Sequence, residues 1–279
     1  MNSDPATDSE FVEADVNELL TSLQEHYQID FRGYSPSFMS RRLANLLRCE
    51  SLLSLSDYRE RLLGDPECME RFVRAVTVHV TTMFRDPEFY VAFRELVVPK
   101  LQESPFLRIW HAGCSTGEEV YSMAIVLDEA DLLSRCRIYA TDVSEGVLRR
   151  ARDGIFELSA IREFTKNYVL SGGKESFSKY YSASYGRAIM KRGLKESIVF
   201  SRHNLISDGA FNSFDVILCR NVLIYFNPDQ AQRAHSLFYD SLTHQGYLGL
   251  GPRETVKFTP HADCYKVIDD TSQLFQKVC

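Results

Sequence analysis

The sequence predicts an α/β domain with a mostly parallel sheet, preceded by an all-α domain. Two observations predict this fold class. Apolar residues recur at helical spacing from residue 11 to about residue 100, with no convincing strand among them. After Pro105, short β-rich runs alternate with helical stretches, which is typical of βαβ units. We therefore expect a helical N-terminal domain with its linker over residues 11–100 and a sheet-containing domain over residues 101–279.

Local signals along the first domain support separate helices. Pro36 follows Ser35, which places a capping serine before a proline in the first helical turn. Gly64, Asp65 and Pro66 interrupt the apolar pattern between two helices. The residues at helical spacing form two groups: Val12, Val16, Leu19, Leu20 and Leu23, then Phe38, Leu43, Leu46 and Leu47.

The second domain is predicted to hold strands that alternate with helices. The β-rich runs cover residues 107–113, 137–142, 197–203, 214–220 and 246–251. The helical stretches that separate several of them lie near residues 117–130, 144–152 and 228–243. Strands separated by helices pair in parallel, so we expect a mostly parallel sheet.

Two segments of the second domain depart from this alternation. Runs 264–270 and 272–278 have no helix between them, so they are predicted to close the sheet as an antiparallel hairpin. The stretch 158–197 is rich in Gly, Ser, Tyr and Lys and fits no βαβ pattern. We interpret it as an inserted subdomain.

The bulk composition argues against several classes of protein. With 44% apolar and 25% charged residues, a 279-residue chain can bury a sizeable core. A net charge of −6 does not suit a dedicated nucleic-acid binder. The N-terminal sequence MNSDPATDSE is acidic and unlike a signal peptide, and no apolar run approaches the roughly 18–20 residues that span a bilayer. We expect a cytoplasmic protein, monomeric by default, with no nucleic-acid partner and no membrane insertion.

The cysteines predict neither a metal site nor a disulfide framework. There are seven, scattered along the chain, and no two have the Cys-x-x-Cys spacing. An odd number without paired spacing favours reduced thiols.

The segment that follows the first predicted strand has the features of a ligand-binding loop. Ala112, Gly113, Ser115 and Gly117 allow the backbone to approach a ligand closely. The second predicted strand ends in Asp142, and a carboxylate at that place can accept hydrogen bonds from both ribose hydroxyls. Together these features predict an adenosine-containing ligand.

Two glutamates that follow this loop indicate the charge of the ligand. The loop reads GCSTGEE, so it lacks the three fixed glycines of a dinucleotide-binding turn, and Glu118 and Glu119 would repel a pyrophosphate. S-adenosylmethionine carries an ammonium and a sulfonium, which carboxylates attract. The alternative is that both acids only occupy the first turn of a helix, where the dipole favours them.

The run 214–226, FDVILCRNVLIYF, contributes a second set of polar residues. Its apolar part ends at Arg220 and Asn221, where an open α/β sheet places its ligand. Tyr225 and Phe226 follow within one turn, and an aromatic face attracts a sulfonium through a cation–π interaction. The alternative is that these rings pack beneath a loop.

Five motifs occur in an order that resembles one known family. They are VTTMFRDPEF (80–89), WHAGCSTGEEVYSMA (110–124), IYATDVSEGVLRRAR (138–152), RHNL (202–205) and FDVILCRNVLIYF (214–226). Together they resemble the chemotaxis receptor methyltransferases of the CheR type, which are S-adenosylmethionine-dependent protein-glutamate O-methyltransferases. The resemblance covers roughly residues 11–278. It implies a Rossmann-like class I methyltransferase domain with a seven-stranded sheet and a small β-subdomain inserted at about residues 158–197, after an all-α domain.

The resemblance also implies roles for individual residues. Arg85 and Tyr225 would be catalytic, with Arg85 orienting the acceptor carboxylate. Arg41, Arg42 and Arg48 would recognise the substrate. The implied cofactor-binding residues are His79, Thr81, Arg85, Gly113, Glu118, Glu119, Asp142, Asn204, Leu205, Arg220 and Asn221. No metal is implied, and the product would be S-adenosylhomocysteine.

The reaction implied is methylation of glutamate side chains on the cytoplasmic helical domain of a methyl-accepting chemotaxis-type receptor. Three features depart from the family pattern. His79 stands where an asparagine is frequent, the turn Gly251-Pro252-Arg253-Glu254 replaces a more usual Gly-x-Ser-Glu, and the arginine pattern at Arg41, Arg42 and Arg48 is sparse. The alternatives are a methyltransferase for another protein or a small acid, and a module that binds the cofactor without turnover. An NAD oxidoreductase is the least supported.

Overall fold

The computed structural model describes residues 11–27, 31–32, 34, 36–76 and 81–279. The chain divides into two compact units, residues 1–78 and 79–279. The predicted cap Ser35 and the predicted cofactor residue His79 lie outside the described residues.

The first unit is helical, which confirms the predicted all-α domain. Leu19, Leu23, Leu43 and Leu62 are among its fully buried side chains, because apolar residues three and four apart share one face of a helix. Val12, by contrast, precedes the first helix and is exposed. The helices of this unit are α1 (Glu13–Tyr27), α2 (Pro36–Cys49), α3 (Leu55–Gly64) and α4 (Pro66–Val76).

The next segment belongs to the second unit. It forms α5 (Pro87–Ala92), a π-helical turn (Phe93–Val97) and α6 (Val98–Leu101). The sequence prediction groups this segment with the first domain as its linker, and in the structure the chain divides near residue 78. The physical reason is burial: Phe84 and Phe89 are buried in one core cluster with Ile109 of the first strand of this unit.

Over its described residues, 81–279, the second unit has ten strands in two sheets. In chain order they are β1 (Leu107–Ala112), β2 (Cys136–Asp142), β3 (Ile155–Glu157), β4 (Tyr181–Ser184), β5 (Arg187–Met190), β6 (Ile198–Arg202), β7 (Phe214–Cys219), β8 (Leu242–Leu250), β9 (Tyr265–Asp269) and β10 (Leu274–Lys277). The larger sheet has seven strands in the order β6-β2-β1-β7-β8-β10-β9, and the smaller has three in the order β3-β5-β4.

The larger sheet is mostly parallel, as the sequence predicts. β1 pairs in parallel with β2 on one side and with β7 on the other. β10 is antiparallel to both β8 and β9, which confirms the predicted closing hairpin. The helices of this unit after α6 are α7 (Glu118–Asp128), α8 (Glu145–Asp153), α9 (Ile161–Leu170), α10 (Arg192–Lys195) and α11 (Pro228–Ser241).

The inserted segment begins three residues before its predicted start at residue 158. β3 (Ile155–Glu157) pairs antiparallel with β5, with Ile155 opposite Ile189. The segment also contains α9, a ten-residue helix that its Gly- and Ser-rich composition does not suggest. Its core rests on apolar residues such as Phe164 and Tyr168, which are buried.

The prediction that all cysteines are reduced is wrong for one pair. Cys264 and Cys279 form a disulfide, while the other five cysteines are free. The antiparallel pairing of β9 and β10 brings these residues together, and the Val278 backbone N–H donates to the Cys264 carbonyl at 2.8 Å. Spacing along the chain did not contain that information.

Among the helices that the structure describes, none combines the length and the apolar character needed to cross a membrane.

Candidate functional site

The carboxyl edge of the larger sheet is where this topology places a ligand site. The chain continues from β1 to β2 and β6 on one side, while β7 and β8 lie on the other. The order therefore reverses between β1 and β7, and the loops after these two strands diverge. Ligands of open α/β sheets bind at such a switch point.

The loop after β1 is tied to the end of β2. The backbone N–H of Gly113 donates to the Thr141 carbonyl at 2.8 Å. The Asp142 carboxylate accepts from the backbone N–H of Ser115 at 2.9 Å and from that of Ser144 at 3.0 Å. One buried carboxylate thus joins the loops that follow β1 and β2.

Two glycines of this loop are required by close contacts as well as by backbone conformation. Gly113 has φ +79°, and a Cβ there would lie 2.6 Å from Cγ2 of Val222 in the loop after β7. Gly117 has φ +94°, and its Cβ would lie 3.0 Å from that of Ala151 on α8. A side chain at either place would have to displace its neighbour.

Glu118 and Glu119 point in different directions from the start of α7. Glu118 is buried, accepts from the Thr116 hydroxyl at 2.7 Å and lines a cavity. Glu119 binds His111 Nδ1 at 2.9 Å and Arg220 Nη1 at 3.2 Å. Consecutive helical residues differ by about 100° in direction, so only one of the two can face a given ligand.

Arg220 is the centre of a buried ionic network. Its side chain is 1% exposed. It donates to Asp86 Oδ2 at 2.8 Å, to Glu119 Oε2 at 3.2 Å and to the Arg85 carbonyl at 3.3 Å. Its guanidinium also lies 4.1 Å from the centre of the Phe89 ring. Arg220 thereby fixes the turn that carries Arg85.

The surroundings shift the pKa values of the two glutamates in opposite directions. Burial raises the pKa of Glu118, against the hydrogen bond from Thr116. Burial also disfavours the charged form of Glu119, but the hydrogen bond from His111 and the charge of Arg220 outweigh it and lower the pKa of that carboxyl. Glu119 is thus held as an ion by its partners, whereas for Glu118 the effect of burial outweighs that of its contacts.

The turn that carries Arg85 has an unusual backbone. Phe84 and Asp86, on either side of Arg85, have φ values of 52° and 53°. Non-glycine residues in the left-handed region cost free energy and persist only where surrounding contacts hold them. Here Arg220 binds one side of the turn, and the Phe84 N–H donates to the Ser122 hydroxyl at 2.9 Å on the other.

A cavity of about 460 Å³ lies beside this turn. Its size is within the range of about 300–1,000 Å³ that is usual for small-molecule sites. The turn, the loop after β1, α8 and the inserted segment all contribute to its walls. The lining residues are Thr81, Thr82, Arg85, Thr116, Glu118, Arg150, Ile155, Phe156, Glu157, Ala160, Glu163 and Phe164.

The structure brings only some of the predicted site residues to this cavity. Thr81, Arg85 and Glu118 line it. The others lie elsewhere along the same carboxyl edge, outside the lining: Gly113, Glu119, Asp142, Asn204, Leu205, Arg220, Asn221 and Tyr225. Asp142 and Leu205 are buried, whereas Asn204, Asn221 and Tyr225 are half-buried.

Sequence reasoning missed several residues that the fold places here. Arg150 of α8 and Glu157 and Glu163 of the inserted segment line the cavity with exposed side chains. Arg150 lies inside one of the recognised motifs, but nothing in its spacing assigned it a role. His111, the buried partner of Glu119, lies between two apolar residues of β1, and its position in the sequence gave no signal of this contact.

The carboxylates of Asp142 and Glu118 suit an adenosine ligand that carries positive charge. A carboxylate oxygen accepts more than one hydrogen bond, so Asp142 has the chemistry to accept from ribose hydroxyls besides its two backbone contacts. Glu118 supplies a buried carboxylate for a cationic group. Glycine at positions 113 and 117 keeps side chains out of the loop after β1, where a Cβ would meet neighbouring atoms. These features match S-adenosylmethionine.

The predicted substrate-recognition arginines all lie on α2 of the first unit. Arg41 and Arg48 are exposed, and they are seven residues apart, which places them on the same face of a helix. Arg42 is half-buried, and its guanidinium lies 5.3 Å from the centre of the Phe38 ring.

Two family models match this chain. The model described as "CheR methyltransferase, SAM binding domain" matches residues 79–273, and the one described as "CheR methyltransferase, all-alpha domain" matches residues 14–77. The boundary between these matches agrees with the division of the structure into two units.

Relatives of similar length support the same assignment. A Pseudomonas putida protein named "Putative methyltransferase Cher3" is 42% identical over 99% of this chain and 100% of its own. Chemotaxis protein methyltransferase 2 of Pseudomonas aeruginosa is 31% identical over 79% of each chain. A chemotaxis protein methyltransferase of Listeria innocua is 30% identical over 82% of this chain and 85% of its own.

Proposed function

The chain belongs to the CheR methyltransferase family, and on that premise we propose that it transfers the methyl group of S-adenosylmethionine to glutamate carboxylates of a methyl-accepting chemotaxis-type receptor. The products are glutamate methyl esters and S-adenosylhomocysteine. Relatives in Pseudomonas aeruginosa and Listeria innocua bear the name chemotaxis protein methyltransferase, which supports a receptor as the substrate.

One observation carries the proposal: Arg85 and Glu118 line the same cavity. A guanidinium is suited to bind a carboxylate acceptor, and a buried carboxylate is suited to bind a cationic cofactor. The cavity thus offers a negatively charged group to the cofactor and a positively charged group to the acceptor carboxylate.

The acceptor requires no general base. A glutamate side chain has an ordinary pKa of about 4.3, so it is already ionised at neutral pH. Arg85 holds one oxygen of the acceptor carboxylate and leaves the other oxygen to react.

The protein contributes mainly by positioning and by excluding water. When bound, S-adenosylmethionine supplies an electrophilic methyl group. Ile155, Phe156 and Phe164 form an apolar part of the cavity wall, which restricts water around the acceptor. Arg220 and Ser122 fix the backbone of the turn from which the Arg85 side chain extends, before the acceptor arrives.

Labelled S-adenosylmethionine, incubated with cytoplasmic fragments of receptors from the same organism, tests the proposal. Carboxyl methylation is identified by methanol that is released in base. Arg85→Ala should lower the rate of methylation by about 10–100-fold, the equivalent of one charge-assisted hydrogen bond of about 1.5–3 kcal/mol. Arg85→Lys should recover part of the rate, because it keeps the charge but not the planar fork.

Calorimetry with S-adenosylhomocysteine separates binding from transfer. Arg152→Ala is the matched control, since Arg152 also lies on this unit but is half-exposed, pairs with Glu145 and does not line the cavity. Base-stable label would indicate another acceptor chemistry. Normal binding of S-adenosylhomocysteine with no methylation of any receptor would indicate a binding module and would refute the proposal.

We propose further that Arg41 and Arg48 of α2 contact an acidic face of the receptor helix. Both side chains are exposed on one helix face. Replacing both with Glu should raise the KM for receptor about tenfold and leave the affinity for S-adenosylhomocysteine unchanged, and added salt should weaken the difference. Lys266→Glu, at an exposed position of β9, is the control for charge reversal alone. An unchanged KM in the α2 variant would exclude this contact.

A further inference from the structure

Glu254, in the loop after β8, is a buried carboxylate surrounded by backbone donors. It is 5% exposed. Its Oε1 accepts from the N–H of Leu223 at 2.7 Å, of Val222 at 2.8 Å and of Ile224 at 3.4 Å. Its Oε2 accepts from Gly251 at 2.6 Å and from Asn221 at 2.9 Å. Five backbone N–H groups therefore converge on one side chain.

These contacts join two loops at the carboxyl edge. Asn221 to Ile224 follow β7, and Gly251 to Glu254 follow β8, which pairs in parallel with β7. A Cβ on Gly251 would lie 2.6 Å from Glu254 Oε2 and 2.7 Å from the Asn221 nitrogen. Glycine at position 251 is therefore needed for the carboxylate and the β7 loop to meet.

The same contacts hold a backbone conformation that would otherwise be costly. Asn221 has φ 60°, in the left-handed region. That conformation aims the four consecutive N–H groups of residues 221–224 at a single point, where only a group that accepts several hydrogen bonds can satisfy them. A carboxylate has about four acceptor sites, whereas an amide would place its own NH₂ group against some of these donors.

The sequence departure in this turn does not affect the contact. Arg253 stands where the resemblance leads us to expect a serine, but it is exposed, as is Pro252. The contact itself is made by Gly251 and Glu254.

We propose that Glu254 is a positioning residue for the cofactor site: it fixes the loop after β7 and acts through Asn221. The inference rests on the proposed function in taking S-adenosylmethionine and its product as the ligands and Asn221 as a residue that contacts them. Arg220 directly precedes this loop, and its side chain binds the turn that carries Arg85. Glu254 and Arg220 together hold the segment from Arg220 to Ile224 in place before any ligand binds.

A double-mutant cycle with S-adenosylhomocysteine binding tests the inference. Glu254→Gln should weaken binding about tenfold, and Asn221→Ala should also weaken it. In the Asn221→Ala background, Glu254→Gln should cost almost nothing further, because residues that act through one another are not additive. Glu254→Asp keeps the charge but is one methylene shorter, so it should recover part of the affinity. Independent, additive effects would refute the inference, as would full affinity in Glu254→Gln.

Glu129→Gln is the control for loss of a buried carboxylate elsewhere. Glu129 binds Arg94 at 2.6 Å and accepts from the Tyr180 hydroxyl at 2.9 Å, and it does not line the cavity. This variant should lower the melting temperature and leave the affinity for S-adenosylhomocysteine unchanged. An equal loss of affinity in Glu129→Gln would assign the Glu254 effect to general destabilisation and would refute the inference.

Hydrogen exchange of the ligand-free protein gives a readout that needs no ligand. In Glu254→Gln and in Glu254→Asp, the amides of residues 221–224 should exchange faster, while those of β7 stay protected. Unchanged protection in both variants would refute the inference. Normal binding and normal coupling, but no methylation of receptors, would refute the proposed function alone.

Discussion

The carboxyl edge of the larger sheet and the inserted three-stranded segment both contribute to the wall of the cavity. The charged side chains of the two regions differ in how deeply they are buried. At the sheet edge, Glu118 and Arg220 are buried, and Arg220 is held by several partners. On the inserted segment, Glu157 and Glu163 are exposed. A buried charge needs fixed partners, whereas an exposed one is solvated by water.

The difference indicates which half of the cavity is organised in advance. Hydrogen bonds and close glycine contacts fix the edge, so we assign the cofactor to that side. The inserted segment presents exposed carboxylates and apolar side chains to the cavity, and water solvates those carboxylates. Substitutions at the edge should therefore have large and specific effects, and substitutions on the insert small ones.

The largest expected effect is the loss of Arg220. Arg220→Met leaves Glu119 and Asp86 without their shared partner, and breaking a buried ionic network costs about 3–5 kcal/mol. Chemical denaturation measures the free energy of unfolding. The control is Arg192→Met, which removes a 91% exposed partner of Glu196 and should cost less than about 1 kcal/mol. Equal losses in the two variants would contradict the contrast between edge and insert.

Loss of the Glu118 charge should have the next largest effect, on cofactor affinity. Glu118→Gln keeps the shape but removes a buried charge, so the Kd for S-adenosylmethionine should rise about tenfold, or about 1.4 kcal/mol. Burial raises the pKa of Glu118, whereas the pKa of Glu119 is lowered, so Glu118 is protonated before Glu119 as the pH falls. Wild-type affinity should therefore fall as the pH is lowered through that pKa, and the affinity of Glu118→Gln should not follow the same step. Parallel pH profiles from calorimetry would contradict the assignment.

Loss of the Glu119 charge should have a smaller effect, which we expect in the pH dependence of stability and not in cofactor affinity. Partners lower its folded-state pKa, so its contribution to stability is complete above the ordinary carboxyl pKa of about 4.3 and is lost as the pH falls through the lower folded value. Melting temperatures from neutral to acid pH should therefore decline less steeply in Glu119→Gln than in the wild type. A steeper decline in the variant would show that Glu119 is not held as an ion by His111 and Arg220.

The smallest effect is expected on the insert. Glu163→Gln alters an exposed charge on the cavity wall, and water and salt screen its interaction with a bound ligand. The Kd for S-adenosylmethionine should change by less than about twofold, within the range of exposed ion pairs. A tenfold change would place Glu163 against the cofactor and would reverse the assignment of the two sides.

The elements of this fold that the sequence predicted are those with a regular pattern of apolar residues. The strand predicted at 214–220 is observed at Phe214–Cys219, and the helix predicted at 228–243 is observed at Pro228–Ser241. Both have a continuous local signal, an apolar run in one case and an amphipathic helix with an Asn227 cap in the other. Helix α9 was missed because its neighbours are rich in residues typical of loops.

Features that depend on distant parts of the chain were not predictable in the same way. The disulfide between Cys264 and Cys279 depends on strand pairing. The boundary near residue 78 depends on which core receives Phe84 and Phe89. Neither leaves a local pattern, because burial is decided by what packs against a segment rather than by the segment itself.

The sequence by itself determined the class of fold, the order of its elements and the edge of the sheet at which a cationic adenosine ligand would bind. Those conclusions follow from local periodicity, glycine positions and the charge of two adjacent residues. Only the tertiary structure decided that Glu118 faces the cavity while Glu119 binds Arg220, and that Glu254 gathers the backbone of the β7 loop. The reason is physical: a charge can be buried only where partners converge, and here those partners come from segments separated by 30 to more than 100 residues.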